Sequence, residues 1–350
     1  MLDVARRLCG LHAQVMSSAE LTLWARVEDL KRGTVQRAIW DDRLLVKTWA
    51  MRGTLHLLPA DELSIWHAAL STSRRYLRAS AWEKYFGISL EDLDRLTKAV
   101  RVALDGRVMT REELAKEVGR ITKSAEFGAK LAEGSWGTIL KPAAFAGYLC
   151  FGPSEGQRVR FTRPDTWLGA AQPSVEAKTA TATITRRFLT AYGPATYHDL
   201  ARWWGCGSVA TARQWINSLG DEVSPVDLEG VQAWMLTRDL RQAKEVEPDH
   251  SVSLLPGFDQ YVVGASRHAE HLLPGDFRKR IFRPQGWISP VLLVNGRMQG
   301  VWRHVVKGNR VDVTIEPFVK VPLWVRRAAV DEAERLAAFL GCKLELSWES

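Results

Sequence analysis

Apolar positions fall mostly at helical spacing up to about residue 245, and beyond about residue 250 they fall in short apolar or alternating runs of the strand type. Within the helical part a unit recurs. Residues 106–118 and 193–204 both run from a glycine to a threonine and then, four residues later, to Leu-Ala: Thr110 to Leu114-Ala115, and Thr196 to Leu200-Ala201. Thr110 with Glu113, and Thr196 with Asp199, have the form of an N-cap with an acid at the third helical position, so each threonine predicts the start of a short amphipathic helix. A longer helix is predicted before each (90–104 and 182–191) and a second after each (123–131 and 209–219), with a further segment at 136–146 in the first copy. Each copy closes on two extended pieces around a turn, 147–152 with 159–162 and 223–228 with 231–236. Helices followed by a β-ribbon have the order of a winged helix-turn-helix. A third candidate lies near the start, with a helix at 35–40 and strands at 44–50 and 55–58 around Arg52-Gly53-Thr54.

Past residue 250, strands are predicted at 252–255, 261–263, 291–294, 301–306 and 311–315. Asn295-Gly296 and Gly308-Asn309 are hairpin turn pairs. A helix at 323–340 stops at Gly341, and Leu344 and Leu346 begin a last strand. The predicted fold class is α+β: tandem winged helix-turn-helix units followed by a small β-barrel-like domain. The predicted boundaries are 1–85, 86–175 and 176–245 for the three winged-helix units and 250–350 for the β-barrel-like domain, with 245–250 as linker.

Composition narrows the partners. The net charge of +8 favours phosphate polyanions. The chain holds 15 tryptophans, mostly core by expectation, with a few free to stack or wedge at a DNA surface. Cys9, Cys150, Cys206 and Cys342 are scattered, with neither metal spacing nor a disulfide framework. No apolar run reaches the length of a membrane span, and the first fourteen residues, with Asp3, Arg6 and Arg7, do not read as a secretory signal. The expected setting is cytoplasmic. No nucleotide-binding glycine loop occurs, and no cofactor is expected.

Three blocks carry a family resemblance. They are Ala50-Met51-Arg52-Gly53-Thr54-Leu55-His56, Leu254-Leu255-Pro256-Gly257-Phe258-Asp259-Gln260-Tyr261, and Asn295-Gly296-Arg297 with the following Gly300 and Trp302-Arg303. Together they resemble the AlkZ/YcaQ-like winged-helix DNA glycosylases. The resemblance implies tandem winged helices with a β-barrel, excision of N7-alkylated purines, in some members from bulky adducts or crosslinks formed by genotoxic natural products, and neither metal nor cofactor. It implies a monomer acting on double-stranded DNA that contains alkylated purines, in DNA repair or self-resistance. The family's catalytic signature is Gln, an apolar residue, then Gln or Asp. His12-Ala13-Gln14 stands at that place, so Gln14 matches and His12 departs from the pattern. A leading helix implied by the family is expected to be shortened or missing before His12.

The residues themselves are compatible with that role. Leu11 to Val15 alternates, which puts His12 and Gln14 on one surface of an extended link. Ser17 with Glu20 has the form of a capping box, which predicts a helix from about residue 18. On spacing alone, His12 and Gln14 read first as ordinary polar residues in a turn; the family blocks turn that reading into a site. A Gln amide can hold a water and offer its carbonyl oxygen to a sugar with developing positive charge. A neutral histidine can hold that water or accept its proton. Both roles stay open for His12. No lysine stands beside the motif, which favours direct hydrolysis over a Schiff base.

The candidate DNA contacts are Arg52, His56, Arg278, Lys279, Arg280, Arg283, Arg297 and Arg303, with Asp259 as an auxiliary carboxylate or a turn cap. Arg52 and His56 read equally as part of a turn that needs Gly53, and in a functional role they either touch phosphate or shape the site. His268, Glu270 and His271 look like part of a metal cluster but lack further ligands nearby in sequence, and no metal is expected. The alternative to a glycosylase is a winged-helix transcription regulator without catalysis, which would bind a palindrome as a dimer. The His-x-Gln segment, the large β domain and the lack of an evident dimerisation helix favour the enzyme.

Overall fold

The computed structural model describes residues 1–72, 79–133, 135–205, 208–247, 250–265 and 269–349. Its first part repeats one order of elements three times. The first unit runs through helix Leu2–Arg7, strand Leu11–His12, helices Met16–Trp24 and Thr34–Trp40, and strands Leu45–Trp49 and Leu55–Pro59. The second runs through helix Leu90–Ala103, strand Met109–Thr110, helices Arg111–Thr122 and Ala125–Glu133, and strands Cys150–Glu155 and Arg158–Thr162. In both sheets the first strand pairs with the third, so the last strand lies in the middle. The third unit keeps the order through helices Ala177–Tyr192, Tyr197–Trp204 and Val209–Asn217 and the ribbon Val223–Leu228 with Val231–Leu236. Its first strand shrinks to a single bridge, Ala195 with Trp234.

The predicted caps are present. Thr110 accepts from the Glu113 amide while Glu113 accepts from the Thr110 amide, and Thr196 and Asp199 do the same. Each box satisfies two amides that the first helical turn leaves without partners. The box expected at Ser17 and Glu20 does not form. That helix starts at Met16 without a side-chain cap, and the Glu20 carboxylate accepts from the Gly33 amide at 3.2 Å instead.

The C-terminal part departs from the barrel expected of it. Strands Val252–Leu255, Val291–Val294, Arg297–Lys307, Arg310–Pro317 and Lys343–Trp348 form a five-stranded sheet with the first and last of them at its edges. Closure is unnecessary because helix Leu323–Leu340 buries Val325, Ala329, Ala333 and Leu336 in a core shared with the sheet residues Leu292, Trp302 and Val313. The last strand lies parallel to its neighbour, as a helical crossover permits. Asn295 and Gly296 both have positive φ, as a two-residue type I′ hairpin requires. Residues 261–263, expected as a strand, lie in the short helix Gln260–Gly264, because the Asp259 carboxylate caps it by accepting from the Tyr261 amide at 2.8 Å. Among the described residues no helix is long and apolar enough to cross a membrane. Cys206 and His268 lie outside the described residues.

The packing fixes how the parts meet. A single core runs from Cys9 to Leu236 through all three units. Leu21 and Trp24, from the helix that follows His12, enter instead the core of the C-terminal sheet and its helix. The first unit is thus gripped from both sides. Arg187 of the third unit holds the buried Glu62 with two bonds of 2.6 and 2.7 Å, and the Tyr192 hydroxyl donates to the Leu8 carbonyl at 2.8 Å.

Candidate active site

His12 lies on an edge strand. Leu11 pairs with Leu57 and His12 with His56 across an antiparallel ladder. Alternation turns Leu11, Ala13 and Leu57 into the small core beneath the first unit's helices, and leaves His12 and His56 on the opposite face. Gly10, just before, has φ +87, and a Cβ there would stand 2.6 Å from the Leu58 side chain, so the turn into the strand admits only glycine.

The His12 ring is 6% exposed. It stacks on Phe258 with centroids 5.1 Å apart and planes within 7°, and meets the His56 ring edge-on at 5.5 Å. Nδ1 is buried without a hydrogen-bond partner. Burial, then the charge of Arg52, pull the imidazole down to a pKa of about 3. The ring is therefore neutral at physiological pH, and no carboxylate fixes its tautomer. Gln14 is exposed, and its Oε1 accepts from the Leu55 amide at 3.4 Å. That bond is at the long end of the range, so the amide can turn toward a substrate at small cost. The Ala13 amide donates to the Leu55 carbonyl at 2.7 Å, which ties the strand down between the two side chains.

Arg52 and His56, expected either at phosphates or as residues that shape the site, face inward. Arg52 adopts φ +59 and donates to the Trp203 carbonyl and, at 3.2 Å, to His56 Nε2. Accepting there leaves His56 Nδ1 to carry the proton, which it donates to the Thr54 carbonyl at 3.0 Å. His56 is fully buried and offers no surface to a phosphate. Burial first, then Arg52, hold its pKa well below the usual histidine value. Burial likewise lowers the Arg52 guanidinium to about 10, still charged at neutral pH. Its charge opposes protonation of both histidines.

Asp259 is also buried. Arg26, which follows helix Met16–Trp24, clasps its carboxylate at 2.7 and 2.8 Å. Gln260 donates to the Gly10 carbonyl at 2.6 Å. Residues on the C-terminal side of Phe258 are thus bolted to the first unit, and Phe258, at φ +60, is held over His12. A phenylalanine in the left-handed region is strained, and such strain persists where the surroundings over-determine it. The sequence reading took Asp259 from this block and missed Phe258, although the same block carries it.

The basic candidates divide. Arg278 pairs with Glu270 at 3.1 Å, Arg280 with Glu316, and Arg303 with Glu349. Lys279, Arg283 and Arg297 are exposed and make no ion pair among the described residues. His271 lies 3.5 Å from Glu229, and no cluster that could hold a metal occurs among the described residues.

Comparison with known proteins gives this arrangement a context. A family model described as DNA glycosylase AlkZ-like matches residues 5–339. An interstrand DNA cross-link repair glycosylase of Streptomyces sahachiroi is 36% identical over 342 residues, which cover 97% of this chain and 90% of that protein. The solved structure of the Streptomyces sahachiroi DNA glycosylase AlkZ superposes with a TM-score of 0.89 at 36% identity, covering 99% of this chain and 93% of the other.

Proposed function

Since the chain belongs to the AlkZ-like DNA glycosylase family, we propose that it hydrolyses the N-glycosidic bond of N7-alkylated purines in duplex DNA, including bulky adducts and crosslinks, with His12 and Gln14 acting on the water and the sugar. The proposal extends to the three repeated units, which are read as winged helices that present the site to the duplex.

The observation that carries the reading is the state of His12. N7-alkylation makes the purine cationic, so it leaves without help from an acid. The remaining tasks are to steady a sugar of oxocarbenium character and to aim a water at its anomeric carbon. A neutral imidazole held by ring contacts with Phe258 and His56 has lone-pair capacity to offer to that water. A general base of the triad type is instead oriented by a carboxylate that stabilises its protonated form. Here the nearby buried carboxylate, Asp259, is taken by Arg26, and Arg52 opposes a positive charge on the ring. His12 is accordingly read as a positioner of water, and Gln14 as the amide whose oxygen faces the developing cation. The one lysine of this sheet, Lys47, has its ammonium over the Phe151 ring, 5.4 Å from the centroid, which supports hydrolysis without a Schiff base.

The test is release of free base from duplex containing 7-methylguanine, followed by scission of the abasic strand with heat or alkali. Release of the base with no adduct trapped by borohydride is the expected result. Failure to release the base at enzyme excess rejects the reading.

A further inference from the structure

Beside His12, with the Phe258 ring in contact with both, lies a cavity of about 210 Å³. Ser17, Leu21, Phe258, Trp287, Trp302 and His304 are among its walls. We propose that this cavity is a specificity pocket for the planar apolar group carried on N7 of the alkylated purine, as distinct from the purine itself. The proposal rests on the reading of His12 given above.

Four observations support it. The first is position. Phe258 stacks on His12 at 5.1 Å and packs on Trp287 at 5.3 Å, so a purine held at His12 and a substituent in the cavity are separated by about one ring. The second is wall chemistry. Aromatic and aliphatic surfaces dominate, with a few hydroxyls and the half-buried His304 imidazole among them, the usual make-up of a site that takes an apolar ligand and fixes its orientation. The volume falls short of the roughly 300–1,000 Å³ of sites for complete drug-sized ligands, which suits a ring system and not a whole nucleotide.

The third observation is Trp287 itself, which is 55% exposed. It follows Gln285 and Gly286, both at positive φ, in a loop clamped at its neck by the Arg283 amide donating to the Trp287 carbonyl at 2.8 Å. The indole is thus presented on a fixed mount. Exposure of one tryptophan is ordinary by itself, but an indole held on a fixed mount at a cavity mouth offers a face on which a planar ring can stack. The fourth is Arg283, which also lines the cavity, is exposed, and makes no ion pair among the described residues, whereas Arg278 and Arg280 nearby are paired with glutamates. A free guanidinium at the rim matches the phosphate of a strand whose modified base reaches inward.

The test compares two duplexes that differ only at one guanine, N7-methyl in one and N7-(naphthylmethyl) in the other, in single-turnover excision by wild type, Trp287→Ala and Ser17→Trp. Trp287→Ala removes a wall, and Ser17→Trp, on the exposed first turn of its helix, plugs the mouth. The ratio of naphthylmethyl to methyl rates should fall roughly ten- to a hundredfold in both variants, the scale of one lost stacked ring. Parallel loss on both duplexes would place Trp287 against DNA common to the two and overturn the proposal, as would an unchanged ratio. Dissociation constants on the same duplexes with a 2′-fluorinated, hydrolysis-resistant sugar give a second measure of the ratio that needs no turnover. A wild type that binds the naphthylmethyl duplex more tightly but releases neither base would reject the functional reading while keeping the pocket.

Discussion

The sharpest consequence of the site is a flat pH profile. With a pKa of about 3, about one His12 ring in a thousand is protonated at pH 6, and about one in a hundred at pH 5. A depressed histidine is neutral above its own pKa, so lowering the pH from 8 to 5 leaves the catalytic population almost untouched. The cationic purine needs no proton either. Single-turnover release of 7-methylguanine, measured at constant ionic strength between pH 5 and pH 8.5 and read by chromatography of the free base, should therefore vary by less than about twofold after correction for the uncatalysed rate. A histidine near its unperturbed pKa of about 6.5, acting as general base, would instead lose about tenfold by pH 5.5. His12→Gln, which restores the amide found in the family signature, should keep the rate within about tenfold and leave the profile flat, because an amide can hold the same water. His12→Ala should cost about a hundredfold, the low end of what positioned acid–base groups contribute. A log-rate slope of one below pH 6.5 in the wild type, abolished in His12→Gln, would refute the reasoning and make His12 a base.

Gln14→Ala should remove most excision while leaving the duplex dissociation constant, measured by fluorescence anisotropy, within about twofold, since the role proposed for its side chain is at the sugar and not at the phosphates. Asp259→Asn strips the charged partner from the half-buried Arg26, and because water still reaches that guanidinium the loss should fall at or below the lower end of the roughly 3–5 kcal/mol for breaking a fully buried pair. Chemical denaturation should show that loss, and an unchanged midpoint with abolished activity would make Asp259 a catalytic carboxylate. Duplex affinity should fall steeply with salt, and Arg283→Ala and Arg297→Ala should each reduce the salt slope by about one if each neutralises a phosphate. Stability should also fall with acid. His12, His56 and His67 all have folded pKa values below the unfolded value of about 6.5, so the unfolded chain binds more protons, and stability present above pH 6.5 is lost as pH drops toward 4. Denaturation midpoints rising between pH 6.5 and 5 would contradict this.

Local signals were legible where they are satisfied locally. The threonine-acid caps, the Asn295-Gly296 turn and the helix up to Gly341 depend on neighbours within a few residues, and all stand where the pattern put them. The capping box at Ser17 failed because Glu20 had a better partner thirteen residues away, at the Gly33 amide. Residues 261–263 looked like a strand from their apolar run, and became helix because a single carboxylate capped them. For the site, the alternation of residues 11–15 pointed to an extended link, in which Leu11–His12 forms a short strand, and the family signature singled out the pair. The burial of Arg52 and His56 was not legible. Both are polar residues in a glycine turn, and only the approach of Trp203, some 150 residues later, turns Arg52 inward. Phe258 and Trp287 were missed for a related reason, since in a chain with fifteen tryptophans and eleven phenylalanines nothing local marks the one that stacks on the His12 ring.

On the proposed function, the rigidity of the site suits the kind of leaving group it would serve. Where the base departs readily, little can be gained from proton transfer, and the useful contribution is to hold water and dipoles where charge appears. Such groups act best when they have little to reorganise. His12 is stacked on Phe258 and met edge-on by His56, and each of those is fixed from another part of the chain. Phe258 is fixed by Arg26 on Asp259 and by Gln260 on Gly10, and His56 by Arg52, itself bonded to the Trp203 carbonyl of the third unit. Three separated stretches of sequence therefore converge on one imidazole. A substitution that loosens any of the three should act through the rate with little change in duplex affinity. Gln260→Ala, which frees the Gly10 carbonyl, is the mildest way to examine that coupling: a loss of excision rate with the salt slope of binding intact supports it, and an unaltered rate in a stably folded variant breaks the chain of reasoning from Phe258 to His12.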